Sequence, residues 1–495
     1  MRIARWLWIL FLVVLAGILA ACFPLSSDRA AQVGVSGDQP LPTPTVIGVP
    51  TAEKVNPFPE YRLSLALEPS TRRLVGMQEV TIPNHTGVDL DEIVFRLYPN
   101  LPQYGGRLDI GSVTVDGKPT TSSLRAGDTS LVIPLEHPLA PETSLDIELT
   151  FAVDLPLVEA GYTLFGYSQG IWSAPDAYPL LAVHDGSSWN EAVAPSHGDA
   201  VFADAAMYDV ILTLPSTLTV AATGSVVSEA PDADGQRVYR IVGGPLREFA
   251  WLASANYQVA ETTAYGTVLR SYYLPGDEAA GQATLNVSAA ALRNYEDAFG
   301  PYPFDEMIVA EAPLLHFGME YPGLNLIGLD LYRDQRAGLE DRVVHEIAHQ
   351  WWYAQVGNDQ VNTPWLDEGL AEYSMAIYYQ QVFGEARANT LVNQRWLVPY
   401  QVAVENEYDA VVNQPSSAFN SFWELEVTVY AKAALFFHAV HQELGDEMFR
   451  EVLQEYVNQF RWKIVTPDDF LQIAEAVSGV DLDALYNRWI LSKQP

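Results

Sequence analysis

From Tyr61 to about Val259, apolar and polar residues alternate with period two. Tyr61, Leu63, Leu65 and Leu67 form one such run, and Leu145, Ile147, Leu149, Phe151 and Val153 form a stricter one. Successive side chains of a strand point to opposite faces, so the alternation predicts half-buried antiparallel strands. Turn chemistry separates the runs at Asp116-Gly117, Ala126-Gly127-Asp128 and Asp234-Gly235, which suit tight hairpins. After about Gly266 the period changes. The pattern predicts a helix over 279–299 and a strand at Met307-Ile308-Val309. Later helices are bounded by Gly445, Asp446, Thr466-Pro467 and Gly479. The chain thus reads as α+β multidomain, with an antiparallel β domain (saddle or sandwich) over 59–262 and a mostly helical domain over 263–495. The stretch 165–190, rich in Gly, Trp, Tyr and Ser, lacks clear alternation and fits a long loop directed towards a functional site.

The N-terminus follows neither period. Arg2 and Arg5 precede an uncharged apolar run from Trp6 to Ala21, shorter than the roughly 20 residues a spanning helix needs. Residues 1–21 therefore read as a signal peptide. The run ends in Leu19-Ala20-Ala21-Cys22, which resembles the lipobox of bacterial lipoproteins. That resemblance implies cleavage before Cys22, attachment of a diacylglyceryl group to it and a protein tethered to a bacterial membrane outside the cytoplasm. Cys22 is the only cysteine, so a disulfide within the chain is excluded. Residues 22–58 read as a spacer, because Pro24, Pro40, Pro42, Pro44, Pro50, Pro57 and Pro59 keep such a segment extended. Composition narrows the partners further. With 27 Lys and Arg against 62 Asp and Glu, the net charge of −35 repels nucleic acid.

The chemistry lies in His345-Glu346-Ile347-Ala348-His349, within a stretch (341–356) that lacks Pro and Gly and predicts a helix. Residues i and i+4 share a helix face, so His345 and His349 can point two imidazoles at one metal while Glu346 stays free for proton transfer. By itself this pattern fits a solvated helix face equally well. Eighteen residues separate His349 from Glu368, which lies in Trp365-Leu366-Asp367-Glu368-Gly369. The gap accommodates a turn at Gly357-Asn358-Asp359 and a second helix starting at Thr363-Pro364, an N-cap followed by proline. Two imidazoles, a carboxylate and a water make the open arrangement of a catalytic Zn2+.

HEIAHQWW and WLDEGLAEY resemble the corresponding blocks of the M1 family of zinc aminopeptidases, with Asp367 where Asn is usual. YRLSLALEP, GMQEVTIPN and LREFAWLAS are similar to that family's N-terminal β domain. The resemblance implies a thermolysin-like catalytic domain, one Zn2+ held by His345, His349 and Glu368, and Glu346 as general base. Gly318-Met319-Glu320 resembles the family's GxMEN block, with Tyr321 in place of Asn and Phe317 where Gly or Ala is common. It implies that Glu320 receives the substrate's α-ammonium beside Gly318 and Met319. Tyr430-Ala431-Lys432-Ala433 resembles the YxKG block, with Ala433 for Gly, and implies that the Tyr430 hydroxyl stabilises the oxyanion while Lys432 is structural. Glu372, one turn after Glu368, suits either a second acceptor for a ligand histidine or an exposed carboxylate. His316 gains no role from its nearness to Glu320. The C-terminal helical domain of larger relatives is not expected here, which leaves a site that is either more open or covered by a partner. The function expected is zinc-dependent removal of N-terminal residues from peptides. A zinc endopeptidase of the same clan and a non-catalytic peptide-binding lipoprotein are the alternatives, and oligomeric state stays open.

Overall fold

The computed structural model describes residues 57–232, 234–333 and 338–493. The signal peptide, Cys22 and the spacer as far as residue 56 lie outside the described residues. No helix among those described is long and apolar enough to cross a membrane.

Alternation produces the strands as the pattern predicts. In Glu60–Glu68, Tyr61, Leu63, Leu65 and Leu67 are buried and the residues between them face outward. This strand runs parallel to Ala206–Pro215 and antiparallel to Arg73–Pro83 near the middle of an eight-stranded sheet. The inner face of that sheet shares one apolar core with two four-stranded sheets. The hairpin from Arg107–Val115 to Lys118–Pro119 turns at Asp116 and Gly117, with φ of 48° and 73°. Both residues thus occupy the left-handed region that such a turn requires. The stretch 165–190 is not one long loop. It holds the strands Gly166–Ser168, Ile171–Ser173 and Leu180–Leu181, largely buried because its aromatic residues belong to the β core.

A five-stranded sheet starts at Gln258–Ala264, a few residues ahead of the boundary read from the sequence. Across it the order is Gln258–Ala264, Thr267–Tyr273, Glu306–Ala312, Leu324–Gly328 and Gly318–Tyr321. The last of these, which carries Glu320, pairs on one side only, with Leu324–Gly328. Helices from Glu278–Phe299 onward build a separate core around Trp351, Trp352 and Trp365. The expected caps are present at Gly445 and Gly479, and Thr466 with Asp469 forms a capping box.

The histidine helix is shorter than its composition predicts. It spans Leu339–Ala348, with His349 as C-cap, instead of continuing to 356. Trp351 and Trp352 are driven into the helical core, and Tyr353 takes φ of 126°. The carbonyls released from the helix are met from the β domain. Arg247, fully buried, donates to the carbonyls of Tyr353 and Gln355, and also to Ala203 (3.2 Å) and Lys463 (2.9 Å). A Cβ on Gly357 would lie 2.2 Å from the Arg247 guanidinium, so the glycine makes room for this clamp. The Gln355 and Lys463 carbonyls also accept from the Trp462 and Gly357 N–H groups, so replacing Arg247 with Met would strand the Tyr353 and Ala203 carbonyls and is expected to lower stability by about 3 kcal/mol, read from the denaturant midpoint.

Candidate active site

The histidine helix packs on the strands Leu324–Gly328 and Gly318–Tyr321, and the helix Trp365–Phe383 packs on the histidine helix. Together they bring the three expected ligands into contact, all buried. His345 Nε2 lies 3.3 Å from His349 Nε2, and Glu368 Oε2 lies 3.2 and 3.5 Å from the two nitrogens. Four ligands at zinc distances stand roughly 3.3–3.6 Å apart at the corners of a tetrahedron, so the observed triangle fits one face of it. Glu368 Oε2 is buried and no hydrogen-bond donor reaches it, which marks an oxygen directed at a cation. His349 Nδ1 donates to the Trp352 carbonyl at 2.9 Å, so its Nε2 lone pair faces the centre.

The second helix starts without the cap that Thr363 predicts. Its hydroxyl donates to the Asp359 carbonyl, and Pro364 stands at the N-cap in helical conformation. Asp359 itself accepts from the backbone of Val361 and Asn362, and this loop competes for the Thr363 side chain.

A second layer orients these groups. Glu372 is buried, with Oε1 3.2 Å from His345 Nδ1, and it is not an exposed carboxylate. Burial raises its pKa, but Arg395, bonded through two nitrogens at 2.6 and 2.7 Å, outweighs this and holds the carboxyl well below its usual range. Trp396 donates to the same carboxylate at 2.7 Å. Arg395 and Trp396 sit on a π-helical segment, Val392–Leu397, whose extra residue per turn brings adjacent side chains to one acceptor. Tyr430 lies on another, Glu426–Lys432, and its hydroxyl donates to Glu368 Oε1 at 2.7 Å. Burial first, then Glu368 and Asp199, push the Tyr430 pKa far up, so the hydroxyl keeps its proton. Lys432 turns away into the core, donating to Asp409 (2.8 Å) and to the carbonyls of Ala410 and Ser492. Gly369 lets the helices Trp365–Phe383 and Ala433–Leu444 approach, since a Cβ there would lie 2.7 Å from that of Ala433.

Glu346 and Glu320 both lie within reach of His349. Arg342 lies 3.3 Å from Glu346 Oε1, and the Glu346 carboxylate packs directly on Gly318, where a Cβ would meet it at 2.2 Å. Glu320 is within reach of His349 and Glu368. Its Oε1 accepts from Gln360 at 3.2 Å, and Gln360 also holds Asp367 at 2.8 Å. Burial pushes Glu320 up to about 8, His349 pulls the other way, and Glu346 and Glu368 add to the rise. The Tyr321 side chain points to the opposite face, into the β-domain core, so its departure from Asn leaves the cavity unchanged. His316 is exposed and pairs with Asp330.

Sequence reasoning missed Asp199, Arg342, Gln360 and Arg395. Asp199 comes from the β domain and stands beside Glu320 and Glu368; burial first, then these neighbours, raise its pKa well above the usual range. Of the four, only Arg342 had a local signal, its i, i+4 spacing to Glu346.

Residues 283–489 match the family model described as Peptidase family M1 domain. The chain is 28% identical over 257 residues to the alanine/arginine aminopeptidase of Saccharomyces cerevisiae, covering 48% of this chain and 29% of that protein. It is 29% identical over 206 residues to aminopeptidase N of Escherichia coli, covering 39% and 23%. The chain thus spans less than a third of the length of either relative. Its fold is similar to that of an M1 zinc metallopeptidase from Deinococcus radiodurans, with TM-score 0.68 and 20% identity, covering 88% of this chain and 94% of that one. Removing the Glu372 carboxylate in a Glu372→Ala variant is expected to weaken zinc binding about 10- to 100-fold, measured by chelator competition.

Proposed function

We propose, from the peptidase family M1 domain that this chain carries, that it is a zinc-dependent aminopeptidase cleaving N-terminal residues from peptides. The observation that carries this reading is the buried carboxylate of Glu320, within 4.8 Å of ligand atoms of His349 and Glu368. An exopeptidase must hold an ammonium one residue from the bond it cuts, and a fixed carboxylate does so by charge-assisted hydrogen bonding. Gln360 keeps that carboxylate in place. Other acids surround it, so a cation is the ligand this wall of the cavity favours.

The donor set fits zinc, which when bound supplies a Lewis acid that polarises the scissile carbonyl and acidifies a water near neutral pH. Glu346 accepts the proton of the attacking water and returns it to the leaving amine. Arg342 and the bare Cα of Gly318 hold it at the level of the reacting bond. Tyr430 keeps its proton and lies one hydrogen bond from Glu368, from where its hydroxyl turns to the carbonyl oxygen as negative charge develops. Glu372 and Trp352 fix the two imidazoles from behind, so the rings need no reorganisation.

Attachment to a bacterial membrane through lipid on Cys22 is part of the proposal, supported by the Leu19-Ala20-Ala21-Cys22 sequence. More than one acyl chain makes such attachment stable.

Activity on aminoacyl fluorogenic substrates is expected to vanish with a chelator and return with zinc. Tyr430→Phe is expected to lower kcat by about 10²–10³, and Glu346→Gln by at least that much, in a steady-state assay. N-terminal acetylation of a peptide substrate is expected to abolish cleavage; blocked peptides cut as fast as free ones would instead identify an endopeptidase. Cys22→Ser is expected to move the protein from the membrane fraction to the soluble one.

A further inference from the structure

A row of aromatic rings stands at the start of the strand that carries Glu320. Tyr162 stands edge-on to Phe317, with centroids 5.8 Å apart and planes at 87°. Phe317 in turn stands edge-on to Phe422, at 5.4 Å and 90°. The three rings come from separate parts of the chain. Tyr162 lies on a β-domain loop that is tied to the catalytic domain by a 2.9 Å hydrogen bond from the Thr163 N–H to the Pro313 carbonyl. Phe317 directly precedes the strand Gly318–Tyr321, and Phe422 opens the short helix Phe422–Leu425 that leads into the segment of Tyr430. Tyr162 is 46% exposed and Phe422 40%, so these rings face open space and not the core. Apolar surface left wet beside a polar cleft marks a place where a ligand sits.

The sheet edge gives the direction in which a peptide passes this row. Phe317 accepts from the Gly328 N–H at 2.9 Å, so by alternation the backbone groups of Gly318 and Glu320 point away from the sheet, towards an added strand. Glu320 marks the α-ammonium, and Gly318, packed against Glu346, marks the level of the cut bond. Beyond Glu320 the way is closed, because Tyr321, Pro322 and Gly323 are buried. The peptide therefore runs from Glu320 past Gly318 to Phe317, antiparallel to the edge. At about 3.4 Å per residue, the residue after the cut bond comes level with Phe317.

We propose that Tyr162, Phe317 and Phe422 form the subsite for the first residue of the leaving peptide and select an aromatic or large aliphatic side chain there. The assignment rests on the aminopeptidase reading and adds a second point of selection, on the far side of the bond from Glu320. An aromatic side chain extends the edge-to-face packing, whereas a charged or hydroxylated one loses water against the rings without a partner.

Tripeptides differing only at the second residue (Phe, Leu, Ser or Asp), with the first residue fixed at the one hydrolysed fastest, test this by mass spectrometry. Wild-type kcat/KM is expected to favour Phe over Ser by about tenfold or more. Phe317→Gly and Tyr162→Ser should each bring that ratio towards one, and Tyr162 is exposed enough for its variant to fold. A wild-type ratio near one, or a ratio unchanged in both variants, overturns the subsite. If no tripeptide is cut, the aminopeptidase reading fails, and calorimetric binding of the same peptides to the Glu346→Gln protein decides the subsite separately. There, tighter binding of the Phe peptide that is lost on adding Phe317→Gly upholds it, and equal binding of the Phe and Ser peptides overturns it.

Discussion

A carboxylate wedged between two imidazoles, all three buried, is the arrangement on which the rest of the catalytic domain depends. Burying Glu368 costs its solvation, and the one oxygen without a hydrogen-bond donor has nothing to replace that loss except the histidine nitrogens and a cation between them. Asp367, Glu320 and Asp199 crowd further carboxyl groups into the same place, and burial together with their mutual repulsion raises the pKa of each. A site built this way favours positive charge, and the metal and the proposed substrate ammonium share that one electrostatic cause.

Holding such a cluster rigid takes more than the ligands. Arg395 and Trp396 converge on Glu372, which faces His345, and Tyr430 reaches Glu368 from the other side. Both sets of side chains sit on π-helical turns, where one residue more than an α-helix would allow rotates the following side chains. The second turn separates Tyr430, directed at the site, from Lys432, which is anchored in the core two residues later. Arg247 plays the corresponding part between domains, since it satisfies the carbonyls released where the histidine helix stops.

Much of this was legible in the sequence, because it rests on periodicity and short-range spacing. The i, i+4 pair of His345 and His349 and the delayed Glu368 survive intact, as do the alternation that builds Glu60–Glu68 and the cap residues of the later helices. What escaped depends on contacts across the fold. Nothing between 341 and 356 announces that the helix ends at Ala348, since the groups that compensate for that end lie on Arg247. The aromatic residues of 165–190 hid short strands, because residues buried on both faces do not alternate. Asp199 and Arg395 reach the site from a β-domain loop and a π turn, and neither position carries a local pattern. Tyr321 shows the converse: it departs from a motif, yet its side chain lies on the other face of the strand and the cavity is unaffected.

The strand Gly318–Tyr321 bonds to a neighbour along one side only. An unpaired edge is ordinarily an invitation to indiscriminate association, which proteins blunt with charges, prolines or a covering element. Here Phe317, directly ahead of the strand, packs between Tyr162 of one domain and Phe422 of the other, so both domains contribute rings to what borders the edge.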